Sequence, residues 1–444
     1  MTSHGAAAGT RFPFEERTLD NGLQVIVHPD ASVPLVATHL MYHVGSRNEP
    51  PGRRGFAHLF EHLLFQGSEN VPEGEHFRRI QSAGGTLNGT TWFDRTNYYE
   101  TLPSGDLDLA MWLESDRMGF FLPAITQAKL DNQRDVVKNE RRQSYENRPY
   151  GLAVETMLER AYPEGHPYRH PTIGYMADLD GASLDDVTQW FKSWYGPNNA
   201  VLVISGAVEP DDAFQRAERW FGEIPARPTP DRREVPIVLN GTPGEAVVPD
   251  RVSVPRVYMM FHAPPFPDPG FEPADVLCSL LAEGRSSRLY RALVYEQRVA
   301  ADVSAFVWPS ECVGMLWVVA TGRPGVEAAE LEAAVTEVLD QLRSSGPTEI
   351  ELQGARNRAR RQLVRQLDSV TRRADLLAHA AVLRGDPGYI NQVFERYEQM
   401  PPDDVALSAR TLLDPARRSV VHVVPDGSRS GSEESAEALA GTES

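Results

Sequence analysis

The same order of strand and helix signals runs twice along this 444-residue chain. The spacing is roughly 200 residues, too long for a solenoid, and reads as a duplicated domain. In the first copy Asn21-Gly22 is a turn signal, and LQVIVH behind it has the pattern of a strand. A second run, VPLVATHLMYHVG, ends at Gly45. GFAHLFEHLLFQG then sets Phe56, Leu59, Phe60, Leu63 and Leu64 three and four apart, which predicts an amphipathic helix with Gly67 as its stop. TLNGTTWFDRTNYYETLP fits a strand pair, residues 106–118 and 127–147 fit long helices, and NNAVLVISGAV fits a buried strand. The second copy repeats the grammar with RVYMMFHAP, the helix-like ADVLCSLLAEG, strands at VSAFVWP and GMLWVVATG, long helices and a final strand SVVHVVP. The predicted boundaries are a domain over 1–225, a Pro-rich linker over 226–250, a second domain over 251–426, and a tail over 427–444. The tail has almost no apolar content and is expected to be disordered.

Hydrophobic residues make up 41% and charged residues 24%, an ordinary globular balance. No apolar run approaches the ~18 residues of a spanning helix. The N-terminus has neither the basic-then-apolar layout of a secretory signal nor the acid-poor character of a transit peptide. Cys278 and Cys312 are the only cysteines, which fits a reducing compartment and makes the cytoplasm the expected location. With 44 basic against 62 acidic residues the net charge is −18. Nucleic acid and anionic membrane would be repelled, whereas basic peptides would be attracted.

Chemistry concentrates in His58-Leu59-Phe60-Glu61-His62. Residues four apart on a helix share a face, so both imidazoles can reach one metal. Zinc takes imidazole nitrogen at ~2.0–2.1 Å, and a hydrolytic site keeps three protein ligands and one open position. Glu61, one position off the ligand pair, is placed to take the proton of the water whose pKa the metal lowers. Core histidines with other partners would also give this spacing. But the motif sits inside an apolar run, where unliganded imidazoles and a carboxylate are costly to bury. A third ligand must come from elsewhere, and KLDNQRDVVKNERRQSYENR offers Asp131, Asp135, Glu140 and Glu146. Its apolar stripe runs through Leu130, Val136 and Val137; Glu140 follows the two valines by four and three residues and is expected to point inward. His166 and His170 share the four-residue spacing, but Pro167 and Pro171 follow them and forbid a regular helix, so a turn is expected there.

These stretches resemble the pitrilysin and insulinase family of peptidases, especially the short-chain branch that includes the mitochondrial processing peptidase. The resemblance rests on NGLQVIVHPD, VGSRNEPPGRRGFAHLFEHLLFQGS, GGTLNGTTWFDRTNYYETLP, VVKNERRQSYENRPYG and GRSSRLYRALVYEQ, and extends from about residue 15 to about 425. It implies an α+β fold of two homologous domains, each an antiparallel sheet backed by helices. It also implies one Zn2+ per chain held by His58, His62 and Glu140, with Glu61 as the base. Asn88, Gly89 and Thr90 resemble the edge strand on which family members lay an extended substrate, a mode in which main-chain pairing holds the peptide.

Two positions depart from the family pattern. Several members carry a glutamate seven residues before the ligand Glu; here it is Gln133, on the same helical face as Glu140, which can orient a neighbour only by hydrogen bonding. Active members also use an Arg and a Tyr from a C-terminal-type domain to hold the substrate carbonyl. Aligned on SSRLYRALVYEQRVAADV those positions read Val294 and Ala301, while Tyr295 and Arg298 are offset and in the wrong order. The expectation is therefore a zinc endopeptidase acting on peptides or leader sequences as one half of a heterodimeric chamber, its partner a homologous chain that supplies the Arg/Tyr pair. A homodimer is the rival assembly, and a non-catalytic structural or regulatory subunit the rival function.

Overall fold

A computed structural model describes residues 12–228 and 244–427. The central stretch of the expected linker and all but the first residue of the expected tail lie outside the described residues. The strands are β1 (Glu15–Thr18), β2 (Gln24–Pro29), β3 (Leu35–Tyr42), β4 (Thr86–Thr91), β5 (Thr96–Pro103), β6 (Ala200–Gly206), β7 (Glu245–Asp250), β8 (Arg256–Ala263), β9 (Ala300–Trp308), β10 (Gly314–Gly322) and β11 (Arg418–Pro425). They form two sheets, ordered β1-β2-β6-β3-β5-β4 and β7-β11-β8-β10-β9.

The duplication read from the sequence reappears strand by strand. In the first sheet β2 runs parallel to β6, and the pairs β6-β3, β3-β5 and β5-β4 are antiparallel. In the second, β7 runs parallel to β11, and β11-β8, β8-β10 and β10-β9 are antiparallel. Each domain is thus a mostly antiparallel sheet backed by helices, with one parallel pairing. The last six residues of the expected linker form β7, the counterpart of β2. Its EAVVPD alternation was hidden by the surrounding prolines and charges.

The chain divides into two compact units that do not follow its halves. One comprises residues 1–139, 172–234 and 360–396, the other 140–171, 235–359 and 397–444. In the first unit the helix Val370–Arg384 lies against β3 and β6. Val370, Ala374, Leu377, Ala378 and Ala381 there join Ile26, Ala37, Met41, Val201 and Val203 of the sheet in one buried cluster. The opposite face carries α1 (Phe56–Leu63) and α2 (Glu75–Ser82) against β4, and α3 (Leu107–Phe120) against β3 and β5. In the second unit the helix Ala153–Ala161, from the first half of the chain, packs on β11, β7 and β8. Each sheet is therefore covered in part by a helix from the other half of the sequence. Among the described residues no helix is long and apolar enough to cross a membrane.

Candidate metal centre

Two devices fix the start of α1. Gly55 has φ 91°, and a Cβ there would stand 2.5 Å from the Ile173 carbonyl oxygen, so only glycine fits this turn. The Glu49 carboxylate accepts from the Gly55 and Ala57 amides at 2.9 and 2.8 Å, satisfying two donors that a helix N-terminus otherwise leaves open and complementing its partial positive charge. Phe56, Leu59, Phe60 and Leu63 are buried, and Phe60 packs on Tyr195 and Phe121 with ring centroids 4.5 and 5.5 Å away. This anchoring leaves His58, Glu61 and His62 on the remaining face.

The expected third ligand, Glu140, lies on α4 (Gln127–Arg141). Leu130, Gln133 and Val137 are buried along one stripe of it, and Glu140 lies on the same side, three residues after Val137. Val136 is 41% exposed, so only one of the two valines used to predict the inward face of Glu140 actually points in. The boundary between the compact units falls in the last turn of α4, after Asn139; Glu140 is carried by a helix rooted in the first unit. The helix expected to reach residue 147 ends at Arg141 and continues as a wider π turn over Arg142–Glu146. Of the other acidic candidates, Asp131 pairs with Arg134, Asp135 is 4.0 Å from Lys138, and Glu146 lies 3.6 Å from Arg141.

His58, His62 and Glu140 each offer one ligand atom, and these atoms lie within 4.8 Å of one another. A tetrahedral ion bound at about 2.1 Å to each would draw them to about 3.4 Å apart, within reach of side-chain adjustment. The two imidazoles meet edge to face at 4.8 Å between centroids. Burial, reinforced by His62, pushes His58 down to about 3, so its imidazole is neutral at physiological pH, as a ligand must be. The donor set thus fits zinc.

A second group, His76, Glu100 and Glu114, is equally close-set and wholly buried, but it has its own cation. The Arg117 guanidinium pairs with Glu114, lies 3.8 Å from Glu100, and stacks 3.9 Å over the Tyr98 ring. Burial and the neighbouring Glu114 raise Glu100 well above the usual carboxylate range. Burial opposes ionisation of Glu114 as well, but Arg117 outweighs it and holds that carboxylate low. The Arg117 guanidinium already stands as counter-ion to these carboxylates. This is a balanced core network rather than a cation site.

Beside α1 runs β4, at the edge of its sheet. Strand alternation divides its side chains between two faces. Thr90 bonds to Asn97, whose amide reaches His39 at 2.9 Å on the face of the Val370–Arg384 helix. Asn88, two residues earlier, shares that side and is exposed; its Oδ1 accepts from the Gly89 amide at 3.0 Å. Gly89 and Thr91 face α1. A Cβ on Gly89 would come 3.0 Å from the Phe65 ring and 3.3 Å from Glu61 Cγ. Thr91 Oγ1 donates to Glu61 Oε2 at 2.6 Å. The expected strand is therefore next to the expected base, but the residue that touches the base is Thr91, just beyond the expected trio. The signal available in the sequence was the period of two from Gly89.

His166 and His170 lie in irregular chain, as the prolines predict. His166 stacks on Tyr162 at 4.3 Å. In the second unit Val294 falls in a π-helical segment, Tyr290–Glu296, and Ala301 on β9. Tyr295 is 74% exposed, and Arg298 has φ 59°.

A family model described as insulinase (peptidase family M16) matches residues 24–174, and one described as the peptidase M16 inactive domain matches 181–359. Zinc protease PqqE of Helicobacter pylori is 30% identical over 370 residues, 82% of this chain and 82% of that protein. Uncharacterized zinc protease YmxG of Bacillus subtilis is 22% identical over 396 residues, 89% of this chain and 95% of that protein. The crystal structure of a protease from Helicobacter pylori matches the fold with a TM-score of 0.87 at 27% identity, covering 93% of this chain and 100% of that one.

Proposed function

The chain belongs to the M16, or insulinase, family of peptidases, and from that premise we propose that it is a zinc-dependent endopeptidase cleaving peptides or leader sequences, the zinc-bearing subunit of a dimeric chamber protease. The observation that carries this reading is the convergence of His58, His62 and Glu140 within 4.8 Å, with the Glu61 carboxylate beside them and held by Thr91. Relatives are named as zinc proteases, and we assign one zinc ion to the three side chains.

Bound zinc supplies Lewis acidity that makes water nucleophilic near neutral pH. The remaining work falls to the chain. Glu61 Oε accepts the proton of the attacking water and returns it to the departing amine nitrogen. Gln133, 6% exposed on the Glu140 side of α4, is proposed to steady that ligand by hydrogen bonding in place of the family's glutamate. β4, around Asn88, Gly89 and Thr90, is proposed to receive the substrate as an added strand, which selects for extended, unfolded peptide rather than for sequence. The net charge of −18 favours basic substrates.

With Val294 and Ala301 where family members carry arginine and tyrosine, the oxyanion-stabilising pair is assigned to a homologous partner chain, giving a heterodimer. Cytoplasmic location belongs to the same proposal and rests on the scarcity of cysteine, two in 444 residues. The test is zinc content and cleavage of an unstructured basic peptide by the purified chain, alone and with any homologous chain that co-purifies. Zinc with activity only in the mixture supports the split site. Zinc with full activity alone replaces the heterodimer by a homodimer. Absence of zinc overturns the enzyme reading in favour of a structural subunit.

A further inference from the structure

The pairing of β4 with β5 determines which of its main-chain groups are open. The Trp92 amide donates to the Arg95 carbonyl at 2.9 Å, and Thr91 pairs with Thr96, Thr90 with Asn97 and Gly89 with Tyr98. In an antiparallel ladder this makes Thr90–Asn97 a hydrogen-bonded pair and Thr91–Thr96 and Gly89–Tyr98 non-bonded ones. The amides and carbonyls of Gly89 and Thr91 therefore point away from β5, toward the open edge. At Gly89 the amide is covered by Asn88 Oδ1.

Thr91 is thus joined to both halves of the reaction. Its main chain faces the edge where an extended peptide would pair, and its hydroxyl donates to Glu61 Oε2 at 2.6 Å. Glu61 is 8% exposed and crowded from the β4 side by Gly89, where a Cβ would stand 3.3 Å from its Cγ. The bond from Thr91 engages one oxygen of its carboxylate in a fixed direction.

We propose that Thr91 is a positioning residue: it locks the Glu61 carboxylate to the same strand that sets the register of the substrate. Peptide bond and base are then referenced to one rigid segment rather than to a strand and a helix that shift independently. The inference rests on the peptidase reading above. It differs from a substrate-contact role, because the hydroxyl serves the base and not the peptide.

The experiment compares wild type, Thr91→Val and Thr91→Ser, each in the assembly in which wild type cleaves an unstructured basic fluorogenic peptide. Valine keeps the shape and removes the donor; serine keeps the donor. The expected result for Thr91→Val is kcat lower by about 10- to 100-fold, the scale on which misplacing a reacting group is felt. KM is expected within about twofold of wild type, zinc content unchanged, and kcat largely restored in Thr91→Ser. A Thr91→Val enzyme with wild-type kcat overturns the inference alone. So does a rise in KM with kcat intact, or loss of zinc, or a Thr91→Ser variant as slow as valine. If wild type binds zinc yet cleaves nothing in any assembly, the peptidase reading fails, and this inference fails with it.

Discussion

At the scale of single residues the proposed centre separates groups assigned to hold a metal from one assigned to move a proton. Glu61→Gln retains the shape and the hydrogen-bonding capacity of the side chain but not its basicity. It is expected to keep full zinc content while kcat falls by at least ~10²–10⁴, the usual share of a positioned general base. His58→Ala is expected to lose zinc, measured by metal analysis after gel filtration. Retained turnover in the first variant would remove Glu61 from the role of base, and unchanged stoichiometry in the second would remove His58 from the ligand set. Glu61 and the two histidines were legible because their spacing is intrinsic to a helix. Although Val136, also used for it, is exposed, the inward facing of Glu140 was legible through Leu130 and Val137. Thr91 was not, because its partner is thirty residues away and only the register of an edge strand brings the two together.

Elements carry the next layer. α1 is short for a helix proposed to hold two ligands and a base, and its termini matter accordingly. Removing the Glu49 carboxylate leaves two amides at its N-terminus without their acceptor. Glu49→Ala is expected to cost about 0.5–2 kcal/mol of stability, the range for lost helix caps, and to lower zinc affinity in step, by calorimetric titration. A variant as stable as wild type would mean that water replaces the carboxylate at no loss. Most strands could be read from alternation or from apolar runs. β7 could not, since four prolines of the expected linker and several charges precede it and its partner β11 lies far along the chain. The helix Val370–Arg384 was readable as a helix, but its place on β3 and β6 was not: an amphipathic stripe announces that it will be buried without saying against what.

For the whole molecule, buried imidazoles govern the response to acid. Burial pushes His39, His166 and His262 down to about 4, and His58 to about 3. In the unfolded chain each titrates near 6.5. Between those values the unfolded state binds protons that the folded state refuses, so folding stability is complete above about 6.5 and declines as pH falls toward 4. Urea midpoints of the metal-free chain are expected to fall steadily from pH 7 to pH 5; a flat profile would show that these rings find compensating partners. The two interleaved units predict the behaviour of fragments. Residues 1–225 alone lack the helix that covers Ile26, Ala37, Met41, Val201 and Val203, and an apolar face of that kind drives association. The fragment is expected to aggregate in sedimentation analysis and to become soluble when residues 226–444 are co-expressed.

That interleaving has a consequence in time. A ribosome releases the segments assigned to zinc early, yet one face of the sheet they rest on stays bare until Val370–Arg384 has emerged. A nascent chain therefore carries every assigned ligand before the sheet beneath them is covered on both faces. On the proposed function, metal loading is expected to wait for that helix, so a protein proposed to cut unfolded chains is itself one until the helix docks.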